Sequence, residues 1–530
     1  MLVLCALAVQ SLTAAPFAKN DVVVFLGDSE THCDRFVNWF ACWCATRHPD
    51  LGIKVVNAGV GGDTAGGALC RLEDDVLSKK PTVVYVMFGG NDLGWHGVWT
   101  DNDGAKQRKA QADRLADYEK NLTEIVHRLR AASPKIRIIL SSTFPYEDAA
   151  RLPSRPLKDR DDAFVAASAV VRGVATREGV EFVDLYSPMA AFSRAGRNDD
   201  PSFTVSGDDR VHPNESQALF VFWALVRALG EGPLVSRVSV NAAKGTHFAE
   251  NATVANLEVS ATKVAFTLDE KALPFPTDTL PQDVIGRLPF AHDLSREELQ
   301  VTGLEPGRYA LAIDGAEVGV YDDISLSLGV NVGESPKTPQ ALQAKKVLAA
   351  AHRRHQHAYF CRDWYWARYS RLKDGKDPNA LDEIRKGYRF GRYFEARSVG
   401  QYIEELSNGF PSLKELAAAE AEMTRLAVPV PHRWSLVRVG DGDFTCRVTD
   451  QRLTNAVPVA TVSANGTANG QRESPPDPQT AAEPVSLLTP VSNGSRRRMV
   501  GSQTSGPSRR NAQATETGRS VLSASLTVRS

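Results

Sequence analysis

Four side chains in the first 212 residues have the types and surroundings that ester chemistry needs. Ser29 lies in Gly27-Asp28-Ser29, directly after the apolar run Asp21-Val-Val-Val-Phe-Leu26. Asn91 lies in Gly89-Gly90-Asn91-Asp92, after Thr82-Val-Val-Tyr-Val-Met-Phe88. Asp209 and His212 stand three residues apart in Asp209-Arg-Val-His212-Pro-Asn214. A serine hydroxyl is a weak nucleophile until a base removes its proton. An imidazole titrates near working pH and is the natural base. A carboxylate on the other ring nitrogen fixes the tautomer and stabilises the imidazolium. Attack on a carbonyl leaves negative charge on oxygen, and donors fixed at that point speed the step. Asn91 offers a side-chain amide for this, and the Ser29 N–H offers a second donor. A third is the N–H of Gly62, in Asn57-Ala-Gly-Val-Gly-Gly62-Asp-Thr64. Each block alone is a common loop composition; their ordered occurrence behind apolar runs gives the reading its weight.

These blocks need elements that bring them together. Apolar runs at 21–26, 53–57, 82–88, 136–142 and 180–185 predict strands, and their unbroken hydrophobicity predicts burial on both faces in a parallel sheet. Between them, Leu115, Tyr118, Leu122, Ile125, Val126 and Leu129 recur at helical spacing. A closing helix is expected from Asn214 to Leu229. Strand–helix alternation over residues 20–235 predicts a doubly wound α/β domain with its site at the carboxyl ends of the strands. Three blocks fall at such ends. Ser29 has no Gly-x-Ser-x-Gly elbow, and the Gly59–Gly67 stretch lacks the Walker pattern.

The rest of the chain changes texture. Residues 236–335 carry short β-type runs, and Gly307-Arg-Tyr-Ala-Leu-Ala-Ile-Asp314-Gly315 reads as a strand entering a hairpin turn, so a small β-rich module is expected. Residues 336–430 read as a helical region rich in Ala, Leu, Lys and Glu. Its basic run, His352-Arg353-Arg354-His355, reads as a solvated helix face. Residues 438–530 are rich in Ser, Thr, Pro and Gly and read as a disordered low-complexity tail. Residues 1–15, an apolar run closed by small residues, read as a signal peptide, which predicts export to the periplasm or outside the cell. Beyond that run no segment is apolar enough for a membrane span. A net charge of −1 gives no global pull toward nucleic acid. Seven cysteines show no zinc spacing. Cys33, Cys42 and Cys44 are close enough in sequence for a bridge, or are small buried hydrophobes.

With Ser29, Gly62, Asn91 and His212 in this order and Asp209 beside the histidine, the first 230 residues resemble the SGNH, or GDSL-type, hydrolase superfamily. One departure is Glu30, where leucine is usual. The resemblance implies a flavodoxin-like three-layer α/β/α fold, ester hydrolysis by Ser29, His212 and Asp209, an oxyanion hole of Ser29, Gly62 and Asn91, and no metal or organic cofactor. The extension resembles those of secreted environmental bacterial members. The superfamily's substrates include acetylated polysaccharides, lysophospholipids and thioesters. Trp95, Trp99 and Tyr146 lie near the blocks in sequence and are candidates to stack on a sugar ring or to pack under their loops. Export and an appended β module favour removal of O-acetyl groups from carbohydrate. A lysophospholipase or thioesterase using the same residues, and a carbohydrate-binding module without turnover, are the alternatives.

Overall fold

The computed structural model describes residues 17–94, 104–157, 160–277, 280, 282–371, 400–405 and 407–441. Trp95, Trp99, the N-terminal run at 1–15 and the tail beyond 441 lie outside them.

Strands β1 (Val22–Gly27), β2 (Lys54–Gly59), β3 (Val83–Met87), β4 (Arg137–Ser141) and β5 (Glu181–Val183) form one sheet in the order β2-β1-β3-β4-β5. All four pairings are parallel. The unbroken apolar strands follow from this layering. Val23, Phe25, Val83, Tyr85 and Met87 point into one core, while Val24, Leu26, Val84 and Val86 point into the other. Helices α2 (Arg35–Arg47) and α7 (Glu215–Ala228) supply the first layer. Helices α3 (Ala65–Arg71), α4 (Gly104–Ala132) and α5 (Arg160–Glu178) supply the other, with the four-residue α1 (Ser29–His32) at the top of β1. The fold is the expected flavodoxin-like α/β/α arrangement. Cys42 and Cys44 are buried in the α2 core, and Cys33, Cys42 and Cys44 are all free. Cys42 and Cys44 are packing residues, Cys33 is partly exposed, and no bridge joins the three.

Two further sheets make a sandwich. The first, four-stranded, contains β6 (Leu234–Asn241), β7 (Thr246–Glu250), β10 (Arg296–Thr302) and β13 (Val330–Asn331). The second contains β8 (Ala252–Val259), β9 (Lys263–Glu270), β11 (Arg308–Ile313), β12 (Ala316–Asp322) and β14 (His432–Gly440). Asp314 at φ +52 and Gly315 at φ +81 form the β11–β12 turn, as Asp-Gly predicts. Strand β14 was not marked by sequence. It sits between β11 and β9, in the middle of its sheet. Its Trp434 stacks on Phe266 at 5.8 Å and lies in the core shared by both sheets.

Between β13 and β14 the chain leaves the sandwich. Helix α11 (Pro339–Arg371) runs across the α/β domain and packs on α2 and on a partner helix, Pro411–Ala427. Ala344, Val347, Leu348 and Ala351 join the core of the first layer. The basic run is thus not a solvated face. Arg354 is buried and pairs with Asp34 at 3.2 Å, His355 reaches the same carboxylate, and His352 meets the edge of Trp39. Arg353 points outward to Glu422, and His352 also keeps an exposed face.

Candidate active site

Ser29 is the first residue of α1, immediately after β1 ends. An N1 amide has no partner in the helix ladder, so the Ser29 N–H is open to a ligand group. Asp28 caps the helix by accepting from the Glu30 N–H. The glycine before it is dictated by crowding: a Cβ on Gly27 would lie 2.1 Å from Thr31 Oγ1 and 2.9 Å from the Met87 carbonyl oxygen.

His212 reaches this serine from a loop 183 residues away. Its Nε2 is 2.7 Å from Ser29 Oγ, and its Nδ1 is 2.6 Å from Asp209 Oδ2. The other Asp209 oxygen accepts from the Val211 and His212 backbone N–H groups, at 3.0 and 2.8 Å, which fixes the carboxylate within the loop. Asn214 then starts α7 with a capping box to Gln217, so the histidine is held between a turn and a helix end. Gly207, at φ +80, is required by contact as well as by conformation: a Cβ there would lie 1.9 Å from the His212 carbonyl oxygen.

Electrostatics fit an acid–base pair. The Asp209 hydrogen bond raises the His212 pKa above its usual 6.5, against an opposing push from burial. Burial works to raise the Asp209 pKa, but the hydrogen bonds from His212 outweigh it and hold the carboxyl below its usual range. If His212 acts as the base, kcat/KM should rise with pH as the imidazolium loses its proton, with a midpoint above 6.5. Asp209→Asn removes the main cause of that rise. Its pH–rate midpoint should therefore move to lower pH while the plateau falls by about 10⁴.

Asn91 follows β3. Its amide donates to the Asp63 carbonyl at 3.1 Å and toward Asp28 Oδ2 at 3.4 Å, which joins the segments carrying Ser29, Gly62 and Asn91 at one point. Gly62 sits in the loop after β2 at φ +77, a conformation that favours glycine. Glu30 is buried against the site, 3.5 Å from Ser29 Oγ. With Cys33, Arg35, Phe36, Phe144 and Pro213 it lines a small hollow beside His212. Tyr146 is not on this surface. It is buried against Phe164, with its hydroxyl accepting from the Leu157 N–H.

The most consequential residues missed by sequence reading are buried arginines that hold these loops by their carbonyls. Arg71 donates to the carbonyls of Gly27 and Ala58 and pairs with Asp63 and Asp75. Arg160 donates to Gly90 and Gly94, at 2.7 Å each. Arg210, at φ +72, donates to the carbonyls of Glu147, Ala150 and Ser154. A guanidinium carries five donors in a rigid fork and stays charged, so one side chain can tie several loop carbonyls together.

A parallel five-stranded sheet of this order, with a serine, an imidazole and a carboxylate in hydrogen-bonded series at its carboxyl edge, defines a serine hydrolase architecture. The comparisons with known proteins agree. The GDSL-like Lipase/Acylhydrolase family model matches residues 25–217. An acetylxylan esterase of Geobacillus stearothermophilus is 29% identical over 228 residues, covering 40% of this chain and 95% of that protein. Esterase TesA of Pseudomonas aeruginosa is 30% identical over 138 residues, or 25% of this chain and 59% of that one. A solved structure described as a gut microbial diltiazem-metabolizing enzyme is 28% identical with a TM-score of 0.73. That match covers 81% of this chain and 99% of the other, so it takes in the extension as well. Residues 25–217 thus carry a GDSL-like lipase/acylhydrolase domain, and the chain is a carboxylic-ester hydrolase.

Proposed function

We propose that this enzyme removes short acyl groups, acetyl above all, from oxygen esters of carbohydrate, with Ser29 as nucleophile. The observation that carries the reading is the unbroken line Ser29 Oγ–His212 Nε2 and His212 Nδ1–Asp209 at 2.7 and 2.6 Å. The Ser29 proton passes to His212 Nε2 as Oγ bonds to the ester carbonyl carbon. The resulting oxyanion accepts from the Ser29 and Gly62 N–H groups and the Asn91 amide. His212 returns the proton to the departing sugar hydroxyl as the C–O bond breaks. Water, deprotonated by His212, then attacks the acyl-serine and releases the acid and the free serine. Asn91→Ala should lower kcat about 100- to 1000-fold with a smaller change in KM, because the lost donor serves the developing charge.

Support for a short acyl group comes from the small hollow beside His212, walled by Phe36, Phe144 and Cys33. Support for carbohydrate comes from the likeness to an acetylxylan esterase over the α/β domain. The N-terminal run at 1–15 suits an exported enzyme acting on such polymers. The test is acetate release from acetylated xylan by the full chain, beside p-nitrophenyl acetate and octanoate, with Ser29→Ala as control. Acetate release that disappears in the variant supports the proposal. Preference for octanoate would replace it with a lipid- or thioester-directed enzyme.

A further inference from the structure

Helix α11 places a second histidine–carboxylate pair directly behind the oxyanion loop. His32 is buried at the end of α1. Its Nδ1 lies 3.0 Å from the Gly61 nitrogen, and its Nε2 lies 3.0 Å from Oδ1 of Asp363, 331 residues further along the chain. The backbone N–H of Gly61 is a donor, so Nδ1 must be the acceptor and the ring proton must sit on Nε2, donated to Asp363. Burial lowers the His32 pKa, consistent with this neutral ring. One residue along the helix, Arg362 donates from Nε to the Gly59 carbonyl at 2.8 Å and pairs with Asp75 through both terminal nitrogens. The segment from Gly59 to Gly61 is therefore held at a carbonyl by Arg362 and at an N–H by His32. Close approach is enforced on the other side, since a Cβ on Gly59 would lie 2.2 Å from the His32 nitrogen.

We infer that Asp363, acting through His32, is a positioning residue for the oxyanion loop, and that the helical extension is part of the catalytic apparatus. Gly61 precedes Gly62, so a displaced Gly61 carries the Gly62 N–H with it. The inference rests on the assignment of Gly62 as an oxyanion donor. A displacement of about 1 Å near a reacting centre costs on the order of 100-fold in rate, which sets the scale of the effect. The sequence gives no hint of the pair, because the two residues are too far apart in the chain and neither stands in a motif.

The experiment uses the full chain and two readouts. Asp363→Ala should lower kcat on p-nitrophenyl acetate about 10- to 100-fold with KM within about twofold, and should raise hydrogen–deuterium exchange in the peptide spanning 57–64. Asp363→Asn, which keeps an acceptor for the Nε2 proton, should restore most of both. It also serves as the reporter if the alanine variant does not fold. A helix that anchors the fold without positioning the loop would leave kcat and exchange at 57–64 at wild-type levels in Asp363→Ala, and this overturns the inference. Wild-type chain silent toward esters would overturn the proposed chemistry instead, while the exchange readout still decides whether Asp363 orders the loop.

Discussion

Ser29→Ala, His212→Ala and the double variant are expected to fall to one common residual rate. In the proposed mechanism the serine is a nucleophile only when Nε2 at 2.7 Å takes its proton, and the imidazole has nothing to deprotonate in the first step without the serine. Groups that act as such a unit are strongly non-additive. Each single change should lower kcat by about 10⁴ to 10⁶, and the double change should add less than about tenfold. The residual rate then belongs to the oxyanion donors and substrate binding, which both substitutions leave in place. Asn91→Ala should behave differently, cutting the wild-type rate by a factor set by one donor. Single-turnover kinetics on p-nitrophenyl acetate measure all four variants. An effect of the double variant equal to the product of the singles would mean that His212 and Ser29 serve separate steps, and the hydrogen-bonded series would lose its mechanistic meaning.

The α/β layer was legible because its signals are local. Each strand is a continuous apolar run, and three of the four blocks begin where a run stops. Burial of alternate residues in two different cores explains the runs. The His212 loop was legible for the same reason, since Asp209, His212 and the Asn214 cap lie within six residues. Failures came where the partner is remote in sequence. The charge of Arg354 suggested solvent, but its counter-ion is Asp34, 320 residues earlier. Strand β14 stands alone after a long helical excursion, and its neighbours β9 and β11 were completed more than 100 residues before it. Tyr146 follows a motif-like Phe-Pro, but its ring fills the core beside Phe164. Arg71, Arg160 and Arg362 occupy ordinary helix positions, and nothing in a one-dimensional pattern shows that a guanidinium will meet a loop carbonyl.

That arginine framework leads to the largest expected effect on stability. Asp75 is the shared counter-ion of Arg71 and Arg362, and all three side chains are at most 4% exposed. Asp75→Ala removes the carboxylate that two buried guanidiniums share, leaving Arg71 to Asp63. Breaking a buried pair by removing one partner costs about 3–5 kcal/mol, and here one carboxylate serves two cations. Burial alone would raise the Asp75 pKa, yet Arg362 and Arg71 outweigh it and hold it below the usual 3.8. A carboxyl depressed in the folded state contributes stability above its unfolded pKa and loses it as pH falls through the folded value. The gap between wild type and Asp75→Asn, measured as urea midpoints, should therefore be widest near neutral pH and narrow below about pH 4. A gap that stays constant into acid would mean that Asp75 acts by packing and not by charge. The same substitution frees Arg71 from one side and Arg362 from the other, and these two hold the carbonyls of Gly27, Ala58 and Gly59. Activity should thus fall even at temperatures where the variant remains folded, because the ends of β1 and β2, which carry Ser29 and Gly62, lose their common anchor.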